Sequence, residues 1–283
     1  MEMVNSILAQ LFAWLNAAAN TLGGVCLAPV GKLPGWLSNT IISAVTGVVL
    51  LVVFKYTSNQ RAIGRVRDQI KANLLALRLF KDDLRVTFKS QGRVFGGAFR
   101  LLFHSLGPLA VMIVPVVLLL AQMGAWYQFR PLPVDETAVV TMKLNGDPQT
   151  ELPGVNLESR QDVQEIITVR IPSLREVRWE IKAQQSGRYQ MVFDVAGEKY
   201  QKELVIGEGF QRISPLRPGW SWGDIILYPL EEPFAKDSIV QSISIEYPRR
   251  ISRTSGADWW MGYFFVVSLI FALLFKPFFK VRI

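Results

Sequence analysis

Residues 37–56, 103–127 and 259–279 form three stretches with almost no charge, each about as long as a bilayer is thick. A hydrocarbon core of roughly 30 Å takes about 20 residues at 1.5 Å of rise each. Inside lipid the backbone has no water to bond, so each stretch must close its own hydrogen bonds as a helix. The chain is 50% hydrophobic and its mean hydropathy is +0.25, values that place part of its 283 residues in lipid. Trp36 and Tyr56 stand at the two ends of the first stretch as interfacial anchors.

Charge sets the orientation. Between Lys55 and Arg100 there are eleven Lys and Arg against three Asp, which matches the whole formal net charge of +8. The tail adds Lys276, Lys280 and Arg282, whereas residues 131–257 hold 15 basic and 18 acidic residues. Short loops rich in Lys and Arg stay on the cytoplasmic side. The connector and the tail are therefore expected inside, and the N-terminus and middle segment outside. Anionic lipid of the inner leaflet is the expected contact of Arg61, Arg65, Arg67, Lys71, Arg78, Lys81, Arg85 and Lys89. Nucleic acid fits poorly, because these cations are not interleaved with exposed aromatic platforms. The single cysteine, Cys26, forms no internal disulfide, which suits a bacterial inner membrane, and no removable signal peptide is expected.

The resulting plan runs as follows. Segment 1–36 is an amphipathic helix in the outer interface, or a short hairpin dipping into the bilayer, interrupted at Asn16, Asn20 and Gly23-Gly24. Segment 37–56 is the first span. Segment 57–100 is a basic cytoplasmic connector, in which Ile63, Val66, Ile70, Leu74, Leu77, Phe80, Leu84 and Phe88 step by three or four. With no Gly or Pro between Arg65 and Gln91, that stripe predicts one continuous amphipathic helix, broken at Gly92, Gly96 and Gly97. Segment 101–128 is the second span, bent near Pro115. Segment 257–279 is the third, and 280–283 the cytoplasmic tail.

Segment 129–256 reads differently. Seven alternating runs (137–143, 164–170, 176–183, 188–195, 199–206, 225–228 and 239–247) predict strands, with a tight hairpin at Ala196-Gly197. The expected fold class is thus an α + β membrane protein: three transmembrane helices, a cytoplasmic amphipathic helix and an extracytoplasmic immunoglobulin-like β-sandwich. Phe210, Trp220 and Trp222 cluster in a Gly/Pro-rich loop, where packing is the plain reading and a docking edge the sharper one.

No nucleophile elbow, phosphate loop, zinc-ligand spacing or dinucleotide fingerprint occurs, so no enzyme, metal or cofactor is expected. No carboxylate lies in a span, which argues against a proton-driven pump. The order of parts is the remaining clue: an outer amphipathic helix, a span ending in Lys55, the basic helix "IGRVRDQIKANLLALRLFKDDLRVTF", then the proline-containing span "LGPLAVMIVPVVLLLAQMGAWY" and a last span. This order resembles the minimal three-span members of the YidC-like insertase superfamily. The resemblance implies a polar groove open to the cytoplasm, through which client segments enter the bilayer at reduced desolvation cost. Its candidate residues are Asn39, Ser43, Thr46, Lys55, His104 and Gln122. Three differences from the family stand out. Insertases of the bacterial type carry a positive residue within the first core span, whereas the nearest one here is Lys55 at its end. The family's cytoplasmic region is a two-helix hairpin where one helix is expected here, and its minimal members lack a β-domain between the last two spans. The alternative is an accessory subunit of a larger envelope complex, docked through the sandwich to other membrane proteins.

Overall fold

A computed structural model describes residues 2–80, 84–147, 149–158 and 162–281. The chain divides into two compact units, one of residues 1–39 and 117–263, the other of residues 40–116 and 264–283.

The first unit is built on strands β1 (Thr137–Leu144), β2 (Val155–Leu157), β3 (Val163–Ile171), β4 (Glu176–Ala183), β5 (Gly187–Val195), β6 (Glu198–Ile206), β7 (Leu216–Arg217) and β8 (Val240–Ile245). All pair antiparallel, in a five-stranded sheet ordered β3-β4-β1-β8-β7 and a three-stranded sheet ordered β2-β5-β6. Alternation drives the assembly. Ala138, Val140, Met142 and Leu144 of β1 turn inward, and Val140 stands opposite both Trp179 and Ile245. The sheets share one core, where the rings of Trp179 and Phe193 lie 5.1 Å apart. At the β5–β6 turn Ala196 and Gly197 both take positive φ, as a tight primed turn requires.

Three expectations for this unit change. Residues 225–228 are not a strand: 225–227 end helix α5 (Trp222–Leu227), Tyr228 is its C-cap, and Ile225 and Ile226 are buried. A four-residue apolar run carries no period that separates the two states. Strands β2 and β7 were not anticipated, because two or three residues are too short to show alternation. The N-terminal helix α1 (Glu2–Cys26) runs unbroken through Asn16, Asn20 and Gly23-Gly24. It packs on α5, with Phe12 and Trp222 6.3 Å apart. The Asn16 amide donates to the Ile225 carbonyl and that of Asn20 to the Pro229 carbonyl. The asparagines read as interruptions are therefore fastenings. A second stripe of α1, formed by Ile7, Leu11 and Trp14, stays exposed.

The second unit holds most of α2 (Gly35–Thr57), all of α3 (Gln60–Leu79), the first part of α4 (Leu84–Tyr127) and most of α6 (Trp260–Phe279). Among the described residues three helices, α2, α4 and α6, are long and apolar enough to cross a membrane. The connector is two helices, not one. Asn59 caps α3, accepting from the Ala62 N–H at 3.0 Å, and α3 ends at Leu79 before α4 begins at Leu84. The pair forms an antiparallel hairpin: a Cβ at Gly97 would stand 2.5 Å from Ile70 Cγ1. Nor do Gly92, Gly96 and Gly97 break α4, because a glycine costs a helix only about 1 kcal/mol against alanine. Elsewhere α2 and α6 approach so closely that a Cβ at Gly47 would lie 2.2 Å from the Ser268 carbonyl oxygen. Close approach over small residues is how helices hold together where lipid supplies no hydrophobic drive.

Candidate functional site

The six groove residues fall in both units. Asn39 and Gln122 belong to the first. Asn39 has no accessible surface, and its amide donates to the carbonyls of Thr254 at 2.6 Å and Trp260 at 3.2 Å. Gln122, 3% exposed, donates to Asn20 Oδ1 at 2.7 Å and accepts from the Arg212 guanidinium, which also reaches Asn20 Oδ1 at 3.0 Å. Burial lowers the Arg212 pKa from its ordinary value, and the neighbouring charge of Arg188 adds to this. Nearby, Ser38 Oγ and the Tyr127 hydroxyl lie 2.8 Å apart.

In the second unit Ser43 is fully buried, one turn before the Gly47 crossing with α6. Thr46 is half-buried. Lys55 is half-buried with its ammonium 5.7 Å from the Tyr56 ring centre, and His104 is exposed. Side chains without accessible surface cannot line an open groove. Asn39, Ser43 and Gln122 therefore act in packing and internal hydrogen bonding, which leaves Thr46, Lys55 and His104 accessible.

The aromatic set divides likewise. Phe210 stacks on Trp126 at 5.6 Å and tilts onto Tyr127 at 5.3 Å, with the Arg250 guanidinium 4.5 Å from its ring centre. Trp220 is half-buried, and its indole N–H is enclosed without an acceptor among the described residues. Trp222 remains 46% exposed beside Phe12. Of the basic set, Arg61, Arg65, Lys71, Arg78, Arg85 and Lys89 are exposed and Arg67 half-buried. Lys81 lies outside the described residues.

One charged group was not foreseen. Lys202 on β6 has no accessible surface; it donates to the Glu231 carboxylate, to the Ser214 carbonyl at 2.7 Å and to the Glu203 carbonyl at 3.2 Å. Burial lowers its pKa from the ordinary lysine value, against the raising effect of Glu231. The period of β6 held the signal, since 202 shares a face with Leu204 and Ile206. The bonds of Lys202 are internal, as those of a structural pair are.

Comparison with family models, with curated proteins and with solved structures finds no match for this chain.

Proposed function

We propose that the chain is a YidC-like membrane protein that assists the insertion or folding of other membrane segments, without catalysis of a covalent step. The observation that carries this reading is the α3–α4 hairpin between the first and second apolar helices, because a two-helix hairpin at that position belongs to the family pattern. The hairpin and tail face the cytoplasm of a bacterial inner membrane, held there by their Lys and Arg. The β-domain is extracytoplasmic and immunoglobulin-like, and two antiparallel sheets on one core support that reading. Thr46, Lys55 and His104 are the groove residues that keep accessible surface.

The test is photocrosslinking in living cells from positions 55 and 104, with a brief radioactive pulse. The expected result is capture of newly made membrane segments that disappears during the chase. Capture of the same stable protein at every time point would overturn the proposal in favour of an accessory subunit. That second reading has its own observation. The exposed Ile7, Leu11 and Trp14 stripe of α1, together with Trp222, offers an apolar surface beyond what a monomer needs.

A further inference from the structure

Between α3 and the first part of α4 lies a cleft of about 510 Å³. Lys89, Arg93 and Arg100 line it from α4, and Gln69 and Asn73 from α3. The three cations fall on one face of α4, at spacings of four and seven residues. Among the described residues none of them is ion-paired, and the described carboxylate of these helices, Asp68, does not line the cleft. Asn73 gives one amide proton to the Gln69 carbonyl at 2.7 Å and keeps another to donate. Gly92 and Gly96 form part of the wall, and a Cβ at either would meet nothing within 4 Å. Larger side chains there would fill the cleft rather than collide with its walls.

We infer that this cleft is a binding site for the phosphodiester headgroup of an anionic membrane lipid. Like charges gathered without counter-ions repel one another, and charge-assisted hydrogen bonds to phosphate oxygens relieve that repulsion. The position of the cleft selects a lipid over a free phosphate. Arg100 is the last charge before the run 101–127, so one end of the cleft stands at the edge of the apolar helix. Lys89 lies about 16 Å farther along the helix axis, at 1.5 Å per residue. On the adjoining face of α4, Phe95, Phe99 and Leu102 are exposed at the same level, where acyl chains would lie. The inference rests on the placement of this hairpin at the membrane surface proposed above.

The test uses the full chain in nanodiscs of phosphatidylcholine containing a minor share of phosphatidylglycerol, with the lipids retained after detergent extraction counted by native mass spectrometry. Wild type is expected to keep phosphatidylglycerol at least fivefold over its share. Arg93→Gln with Arg100→Gln should abolish that enrichment. So should Gly96→Leu, which keeps every charge and fills the cleft, with thermal unfolding unchanged. Equal enrichment in all three proteins would overturn the inference. Displacement of the lipid by millimolar inorganic phosphate, or by a short oligonucleotide, would also overturn it, assigning the cleft to a soluble anion. The readout needs no client protein, so its failure is separate from failure of the insertion reading.

Discussion

Lys202 is the residue at which the β-domain takes its largest electrostatic risk. Its ammonium is wholly enclosed and compensated by one carboxylate and two carbonyls. Removing one partner of a buried pair leaves an uncompensated charge, which costs about 3–5 kcal/mol, whereas replacing both partners by apolar groups is often neutral. Glu231→Gln is therefore expected to lower the unfolding free energy by about 3 kcal/mol, and Lys202→Met with Glu231→Leu to recover most of it. Denaturant unfolding followed by Trp fluorescence measures both, and a double variant as weak as the single one would refute the pairing. Glu176 gives the pH counterpart. Burial raises its pKa, but the hydrogen bonds and charges of Arg178, at 2.7 Å, and Lys143, at 3.4 Å, outweigh this and hold it below the ordinary glutamate value. A carboxylate whose folded pKa is depressed stabilises the fold above its unfolded pKa and loses that contribution as pH falls through the folded value. Glu176→Gln should thus lower Tm at neutral pH, with a deficit that closes on acidification below the ordinary carboxylate range. A deficit constant with pH would deny the ion pairs any part.

Among the helices, glycine positions separate contact from mere composition. Alanine is intrinsically better than glycine in a helix by about 1 kcal/mol. At Gly96, where a Cβ meets nothing, Gly96→Ala should be neutral or mildly stabilising. At Gly47 the same change drives a Cβ into the Ser268 backbone, so Gly47→Ala should destabilise despite the better propensity. Thermal unfolding in detergent compares the two, and the same sign at both sites would contradict the α2–α6 crossing. The three apolar helices and six of the strands were legible because each repeats its period over enough residues. The α3–α4 turn was not, because Leu77, Phe80, Leu84 and Phe88 keep a step of three or four across it and hide the break. Asp82-Asp83 ahead of Leu84 was the available signal, since Asp is a favoured residue where helices start. The site was legible only in part. Residues 39, 43 and 122 were read as polar, but nothing in a single helix shows which polar side chains a neighbour will cover.

For the molecule as a whole, sidedness decides which partners each part can meet. The proposed sidedness follows from eleven cations against three carboxylates in one connector, set against 15 basic and 18 acidic residues across 131–257. Leu75 on α3 and Ala235 before β8 are both exposed, which makes them suitable reporters. In a Cys26→Ser background, a membrane-impermeant maleimide applied to intact spheroplasts should modify Ala235→Cys and spare Leu75→Cys, and permeabilisation should expose both. The reverse pattern would turn the whole arrangement over. The cationic cleft would then face a leaflet on the outer side, and Lys55 and His104 could not meet a segment leaving the ribosome. The lipid-retention measurement would be unaffected, since headgroup binding requires a membrane surface and not a particular side of it.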